Sequence, residues 1–351
     1  MFDFVYAWPL WAQILCFILG LGLGVFCLVK FCDIFVDSSV AIATKAKVSP
    51  LIIGLTVVAM GTSCPELAVS VSDSIETLVK GGHANVALGN VVGSNIANLL
   101  LVLAISVMIT PIVVRKSVLK KEFPILLGVS AVTVILGCLF GLNGVTGDYA
   151  ITRWEGAILV ALMIGYIVYI VLTAKKHPET VEVEQTEAKP MSWAKAIILA
   201  IVGILGIALG GELVVFGAKG VALSISDAAH LNHDMAEAVV GLTVVAVGTS
   251  LPELVTSAVA AKKGQNEMAL GNVIGSNLFN VLFVMGIAAL INPLTTGNQI
   301  VIDLAVMMVA TIATYLLAIK GKLGKWQGAI MFVAYVGYLA YLVTRTILSG
   351  A

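Results

Sequence analysis

Long apolar segments, separated by short polar stretches, run along most of the chain. They exceed the ~20 residues that an α-helix needs to cross a bilayer, and they lack the alternating pattern of outer-membrane strands. The pattern predicts ten spans, at about 11–44, 49–79, 86–109, 118–141, 153–173, 192–226, 237–261, 267–291, 298–319 and 325–348. The sequence therefore predicts an all-α integral membrane protein with ten transmembrane helices.

One longer hydrophilic segment interrupts the apolar pattern. The stretch AKKHPETVEVEQTEAKPM, residues 174–191, contains two prolines and has no periodicity, which is typical of a solvated linker. We expect it to divide the chain into a first unit of five spans, residues 1–173, and a second unit of five, residues 192–351.

The two units repeat each other in sequence. GLTVVAMGTSCPEL (54–67) matches GLTVVAVGTSLPEL (241–254), and ALGNVVGSNIANLL (87–100) matches ALGNVIGSNLFNVL (269–282). Because five is odd, equivalent helices would cross the bilayer in opposite directions, as in the inverted-topology repeats of secondary transporters. The duplicated segments could then meet face to face.

Composition and charge support this interpretation and orient the protein. Hydrophobic residues make up 60% of the chain and charged residues 11%, against roughly 25% charged in soluble domains. Loops after the odd-numbered spans carry 15 Lys and Arg residues, whereas the other side carries three, Lys80, Arg153 and Arg345. The positive-inside rule therefore places the linker in the cytoplasm and both termini outside it, in a multi-pass protein of the plasma (inner) membrane.

Both repeated GTSxPE segments put a helix breaker and an acid inside an apolar run. A charge at the centre of a membrane helix costs roughly 2.5–3.5 kcal/mol, so Glu66 and Glu253 call for a partner or a function. Pro65 and Pro252 have no N–H, and each frees a carbonyl one turn earlier. Broken helices at membrane depth are tolerated where they line protein or a cavity.

Further oxygen-bearing side chains recur at helical spacing beside the two acids. They are Thr62, Ser63, Ser70, Thr249, Ser250, Ser257, Ser94, Asn98, Ser276 and Asn280. Calcium takes 6–8 oxygen ligands, and two carboxylates balance one divalent ion. The sequence therefore predicts a calcium site, at which monovalent ions could replace calcium.

The paired motifs GTSCPE and GTSLPE, each followed by GNVVGSNIAN or GNVIGSNLFN, strongly resemble the α-repeats of the sodium/calcium exchanger family within the cation/calcium exchanger superfamily, prokaryotic type. The resemblance covers nearly the whole chain. It implies a calcium antiporter, not an enzyme, with a central metal site formed by Glu66, Glu253, Thr62, Thr249, Ser63, Ser250, Ser94, Asn98, Ser276 and Asn280. It also implies that the carbonyls of Ala59 and Ala246 face sodium.

The expected partners are calcium ions, sodium ions and the lipid bilayer. No cofactor, nucleic acid or obligate protein partner is expected. We expect sodium to drive exchange because neither motif contains an extra acid or histidine as a dedicated proton carrier, and protons to compete at the two carboxylates. A calcium/proton antiporter, a potassium-dependent antiporter and a cation channel remain alternatives. An intramembrane hydrolase lacks a nucleophile and base pair.

Several polar residues have competing interpretations. Ser94, Asn98, Ser276 and Asn280 could bridge helices structurally, and Asn95 and Asn277 could make backbone contacts or bind the ion. Asp33, Asp37 and Glu212 could guard a vestibule, although a water-facing role or a salt bridge with Lys30 or Lys219 is the favoured interpretation. His230 and His233 fit a solvated turn better than a metal site. The GLGLG segment, residues 20–24, indicates helix packing rather than a nucleotide loop, because no strand precedes it.

Overall fold

Helices form most of the structure, a computed structural model that describes residues 8–81, 85–138, 149–176, 191–228, 246–296 and 298–349. Most of the expected linker (177–190), both histidines His230 and His233, and the segment 241–245 of the second GTSxPE repeat lie outside the described residues.

The first half contains a long helix, a broken helix and three further helical segments. Its elements are α1 (Leu10–Ala46), α2 (Pro50–Ile53), a π-helical turn (Gly54–Val58), α3 (Ala59–Thr62), α4 (Cys64–Lys80), α5 (Asn85–Ala97), a π-turn (Asn98–Val102), α6 (Leu103–Ile109), β1 (Ile112–Val113), a π-turn (Val118–Glu122), α7 (Phe123–Cys138), β2 (Tyr149–Ile151) and α8 (Arg153–Lys176).

The second half follows the same order where it is described. Its elements are α9 (Trp193–Ala228), α10 (Ala246–Thr249), α11 (Leu251–Lys262), α12 (Asn266–Phe279), a π-turn (Asn280–Met285), α13 (Gly286–Ile291), β3 (Leu294–Thr296), α14 (Asn298–Ala318), β4 (Lys322–Leu323) and α15 (Lys325–Ser349).

The membrane-spanning character of the chain is confirmed. Seven described helices are long and apolar enough to cross a bilayer, namely Leu10–Ala46, Val86–Ile109, Arg153–Ala174, Trp193–Val221, Asn266–Ile291, Ile300–Ala318 and Lys325–Leu348. The pair Pro50–Thr62 and Cys64–Lys80, bent by 45°, makes an eighth if it counts as one span. The expected spans 118–141 and 237–261 extend beyond the described residues, so the number ten stays a prediction.

Four short strands join the two halves and correct the all-α expectation. β1 pairs antiparallel with β4, with Ile112 opposite Leu323, and β2 pairs antiparallel with β3, with Ile151 opposite Leu294. β1 follows α6 in the first half and pairs with β4, which precedes the last helix of the second half. β3 follows α13 in the second half and pairs with β2, which precedes the last helix of the first half. This reciprocal pairing is what a two-fold relation between the halves would produce.

The long helices α1 and α9 pack closely against each other through glycines. A Cβ atom at Gly24 would lie 2.7 Å from the backbone nitrogen of Val214, and one at Gly203 would lie 2.7 Å from the Cβ of Phe35. The predicted packing role of the GLGLG segment is therefore confirmed at Gly24.

The segments Val86–Ile109 and Asn266–Ile291, which carry the second repeated motif, are the most deeply buried of the seven candidate spans. A Cβ at Gly271 would lie 2.6 Å from the carbonyl oxygen of Leu51, and one at Gly275 would lie 2.6 Å from that of Leu55. The second-half motif helix α12 therefore packs against the broken helix of the first half, which brings the two kinds of motif together.

Candidate cation site

Each of the two predicted helix breaks is present and positions a carboxylate. The helix is interrupted at Ser63 (φ −85°, ψ 9°) and at Ser250 (φ −86°, ψ 2°), and α4 and α11 begin at the next residue. Glu66 and Glu253 lie in the first turns of these helices, where the positive end of the helix dipole favours an acid.

The two glutamates are fully buried, and each has one hydrogen-bonded oxygen. Ser63 donates to Oε1 of Glu253 at 2.9 Å, and Ser94 donates to Oε1 of Glu66 at 3.4 Å. The Oε2 atom of each carboxylate is buried and accepts no hydrogen bond within the described part of the chain. Two uncompensated carboxylate oxygens at 0% exposure are costly unless a cation or a proton neutralises them.

Thr62 connects the first GTSxPE segment to the second-half motif helix α12. Its hydroxyl lies 3.2 Å from Oδ1 of Asn272 and 3.5 Å from the hydroxyl of Ser276. Asn272 in turn donates from Nδ2 to Ser257 at 2.9 Å. Thr62, Ser257 and Ser276, which lie on three separate helices, therefore belong to one buried cluster shared by both halves.

Asn272 belongs to this cluster and Asn90 contacts the residues around Glu66, although the sequence interpretation missed both asparagines. Asn90 donates to the backbone carbonyl of Glu66 at 3.1 Å and to Ser70 at 3.0 Å. The signal was present in the repeated ALGN letters, because each asparagine lies four residues before a predicted ligand, Ser94 or Ser276, and so shares its helix face.

Asn98 and Asn280 each begin a π-helical turn, a distortion that is frequent at functional sites. Asn98 donates to Oδ1 of Asn277 at 3.1 Å, while its own Oδ1 and both polar atoms of Asn280 are buried without a partner among the described residues. Asn95 donates to the backbone carbonyl of Asn277 at 3.3 Å, so a backbone contact accounts for one of its polar groups.

The remaining predicted site residues differ in how far the structure places them. The carbonyl of Ala59 accepts from the Ser63 N–H at 3.1 Å and lies 3.3 Å from the Thr62 hydroxyl. Ser250 is buried with no partner for its hydroxyl among the described residues. Thr249 is partly buried at the end of α10, and Ala246 begins that helix.

Asp33 and Asp37 lie outside this cluster. Both contact Lys263, with 3.2 Å from Nζ to Oδ1 of Asp33 and 2.5 Å to Oδ1 of Asp37. Both acids therefore form salt bridges, but the predicted partners are wrong: the partner is Lys263, which follows α11, rather than Lys30 or Lys219.

The donor set fits a hard cation. Five of the predicted site residues each have a buried oxygen without a hydrogen-bond partner in the described residues: Oε2 of Glu66, Oε2 of Glu253, Oδ1 of Asn98, Oδ1 of Asn280 and Oγ of Ser250. Carboxylate, amide and hydroxyl oxygens are the ligands that calcium takes. In the described ranges, no three His, Cys, Asp or Glu side chains lie close enough together to hold a metal ion. A metal here would therefore depend on neutral oxygens as well as the two acids.

Known proteins resemble this chain along nearly its whole length. The profile of the family described as "Sodium/calcium exchanger protein" matches residues 16–172 and 195–344. The sodium/calcium exchanger MaX1 of Methanosarcina acetivorans is 31% identical, over 91% of this chain and 96% of the relative. An uncharacterized membrane protein of Methanocaldococcus jannaschii is 36% identical, over 93% of this chain and 98% of the relative.

The fold also matches solved structures. The sodium-calcium exchanger NCX_Mj soaked with zero Na⁺ and Ca²⁺ superposes with a TM-score of 0.76 and 31% identity, over 93% of this chain and 99% of that one. The same exchanger soaked with 10 mM Na⁺ and 10 mM Sr²⁺ gives a TM-score of 0.74 and 32% identity, over 93% and 98%.

Proposed function

Because the chain belongs to the sodium/calcium exchanger family, and is a helical multi-pass membrane protein, we propose that it is an antiporter that moves calcium against sodium by alternating access. The observation that carries this proposal is the pair of buried carboxylates Glu66 and Glu253, each with one oxygen that accepts no hydrogen bond in the described chain. Relatives named sodium/calcium exchanger support the choice of ions.

We assign the calcium ligands to the cluster at the two helix breaks. Glu66 and Glu253 supply two negative charges, which balance one Ca²⁺. The neutral oxygens come from the hydroxyls of Thr62 and Ser276, from those of their equivalents in the other repeat, Thr249 and Ser94, and from the amide oxygens of Asn98 and Asn280. When calcium leaves, monovalent sodium ions occupy the carboxylates and the hydroxyls around them, since a bare pair of buried carboxylates is unfavourable.

We further propose ten transmembrane helices arranged as two inverted repeats, with the site at the bilayer midplane. The repeated motifs and the reciprocal strand pairs support this arrangement. The excess of basic residues on one side supports a cytoplasmic linker and external termini in the plasma (inner) membrane. Alternating access is the usual mechanism of such repeats.

The test is calcium-45 uptake into proteoliposomes loaded with sodium, potassium or choline at constant pH. Uptake should require an outward sodium gradient and should saturate with calcium. Equal uptake driven by an outward proton gradient without sodium would favour calcium/proton exchange, and uptake that needs no counter-ion and does not saturate would indicate a channel.

A further inference from the structure

The last helices of the two halves carry a third sequence repeat, which lies away from the cation site. RWEGAILVALMIGYIVYIVLT (153–173) and KWQGAIMFVAYVGYLAYLVTR (325–345) share Trp, Gly-Ala-Ile, Gly-Tyr and a second Tyr at the same positions. In both copies the tyrosine after glycine donates to an acid on a neighbouring helical segment: Tyr166 to Oε2 of Glu122 at 2.8 Å, and Tyr338 to Oδ1 of Asp303 at 3.2 Å.

The two copies differ in the cation that faces the acid. In the second half, Arg345 donates to both carboxylate oxygens of Asp303 at 3.1 Å and also lies 5.4 Å from the ring centre of Tyr341. The equivalent position in the first half is Thr173, the twenty-first residue of α8 as Arg345 is of α15. Among the described residues, no Lys or Arg forms an ion pair with the buried Glu122.

A cavity of about 220 Å³ lies at this position in the first half. Its walls include Glu122 and Thr173 together with two exposed lysines, Lys47 and Lys121. Tyr169, itself 38% exposed beside the apolar outer face of α8, forms another part of the wall. The cavity therefore offers one acid, two ammonium groups and an apolar side, on the face of the protein where the basic loops are concentrated.

We propose that this cavity binds the headgroup of a membrane phospholipid that carries both a primary amine and a phosphate, the chemistry of phosphatidylethanolamine. The amine binds the Glu122 carboxylate as the Arg345 guanidinium binds the Asp303 carboxylate. The phosphate faces Lys47 and Lys121, and the acyl chains pass Tyr169 along the exposed apolar side of α8. Tyrosine at the membrane interface suits such a boundary.

Charge complementarity selects this headgroup over simpler ones. A purely anionic headgroup would satisfy the lysines but leave the buried Glu122 with no ion-pair partner among the described residues, since Lys121 acts on it only as a nearby charge and would then face the anion; a buried acid without an ion pair is costly. A lone cation would satisfy Glu122 and leave the two lysines without a counter-charge. A choline headgroup has the same charges but no N–H donor, so it forfeits the charge-assisted hydrogen bond to the carboxylate.

Native mass spectrometry of the full-length protein in detergent, with matched-chain phosphatidylethanolamine, phosphatidylcholine and phosphatidylglycerol, tests the proposal. We expect ethanolamine lipid to bind about tenfold more tightly than choline lipid, the size of one hydrogen bond to a charged group. Thr173→Arg supplies the guanidinium from the chain itself, and Glu122→Gln removes the acid; each should abolish the preference. Lys120→Gln, a neighbouring exposed lysine outside the cavity wall, should retain it.

Equal binding of the ethanolamine and choline lipids, a preference for phosphatidylglycerol, or an unchanged preference in Thr173→Arg would each overturn the proposal. Soluble glycerophosphoethanolamine that displaces the lipid at equal concentration would identify a free phosphoamine, not a lipid, as the ligand and would also overturn it. If Glu122→Gln does not fold, Thr173→Arg and the comparison of lipids still decide the question. Because binding is measured without transport, the result is independent of the proposed antiport.

Discussion

The two GTSxPE segments have almost the same sequence and the same backbone break, yet their serines have different partners. Ser63 donates to Glu253 across the interface between the halves at 2.9 Å, whereas the hydroxyl of Ser250 has no partner among the described residues. Two copies of one motif therefore occupy two different local arrangements in the same molecule. In an inverted repeat, exchanging the arrangements of the two copies would change which side of the membrane has access to the site.

The strongest test of this comparison removes the charge from each copy in turn. We expect Glu66→Gln and Glu253→Gln each to lower calcium exchange by at least about a hundredfold. An amide has no charge to balance the cation and only one acceptor atom, and the other glutamate of the pair is left as a buried charge without a partner. Calcium-45 flux in proteoliposomes measures this. Glu76→Gln, at an exposed acid on the same helix paired with Lys80, is the matched control and should keep normal flux.

Normal flux in either glutamine variant would remove that glutamate from the site. Loss in one variant and not the other would show that the two copies are not functionally equivalent and would contradict the exchange of roles between them.

A smaller effect should separate the two serines. We expect Ser63→Ala to weaken apparent calcium affinity about tenfold at one membrane face, since it deletes a hydrogen bond to a charged group. Ser250→Ala should weaken calcium affinity at the opposite face. In the exchanged arrangement, the Ser250 hydroxyl would donate to Glu66 as Ser63 here donates to Glu253. The measurement is the calcium dependence of uptake in inside-out and right-side-out vesicles. The same affected face for both variants would rule out the exchange of arrangements.

The two asparagines of the ALGN motif, of which Asn272 is buried and Asn90 partly buried, offer a weaker contrast. Asn272→Ala breaks contacts with Thr62 of the other half and with Ser257, whereas Asn90→Ala breaks contacts with Glu66 and Ser70 of its own half. We expect about a three- to tenfold loss of calcium affinity in each, the size of one or two neutral hydrogen bonds. Isothermal titration with calcium in detergent is the measurement, and unchanged affinity in both would exclude the asparagines from the support of the site.

The sequence was sufficient to predict a helical membrane protein, both helix breaks and the two acids beside them, because the apolar runs are long and the GTSxPE motif occurs twice. The four strands are two or three residues long, too short to show a periodicity. The π-turns at Asn98 and Asn280 add one residue to a helical turn without a marker in the sequence. The partner of Asp33 and Asp37 is Lys263, more than two hundred residues away, and only tertiary packing brings them together.

The third repeat in α8 and α15 was missed for a different reason. Both segments are predominantly apolar, so the sequence interpretation treats them only as spans, although their alignment shows that Thr173 is the equivalent of Arg345. The comparison of two copies, rather than the composition of either, identifies the unmatched acid at Glu122. Internal duplication therefore supplies information that a single pass along the chain does not use.

The smallest expected effect concerns the contact of Lys263 with Asp33 and Asp37, which joins α1 to the end of α11. Both acid side chains are more than two-fifths exposed, and such pairs contribute ~0.2–1 kcal/mol. Lys263→Gln should therefore change the rate of calcium exchange by less than about fivefold, and the difference from the unmodified protein should shrink at high salt because exposed charges are screened. Initial rates at low and high ionic strength measure this. A salt-independent loss of exchange as large as that of Glu253→Gln would mean that this contact controls access to the site and is not a surface pair.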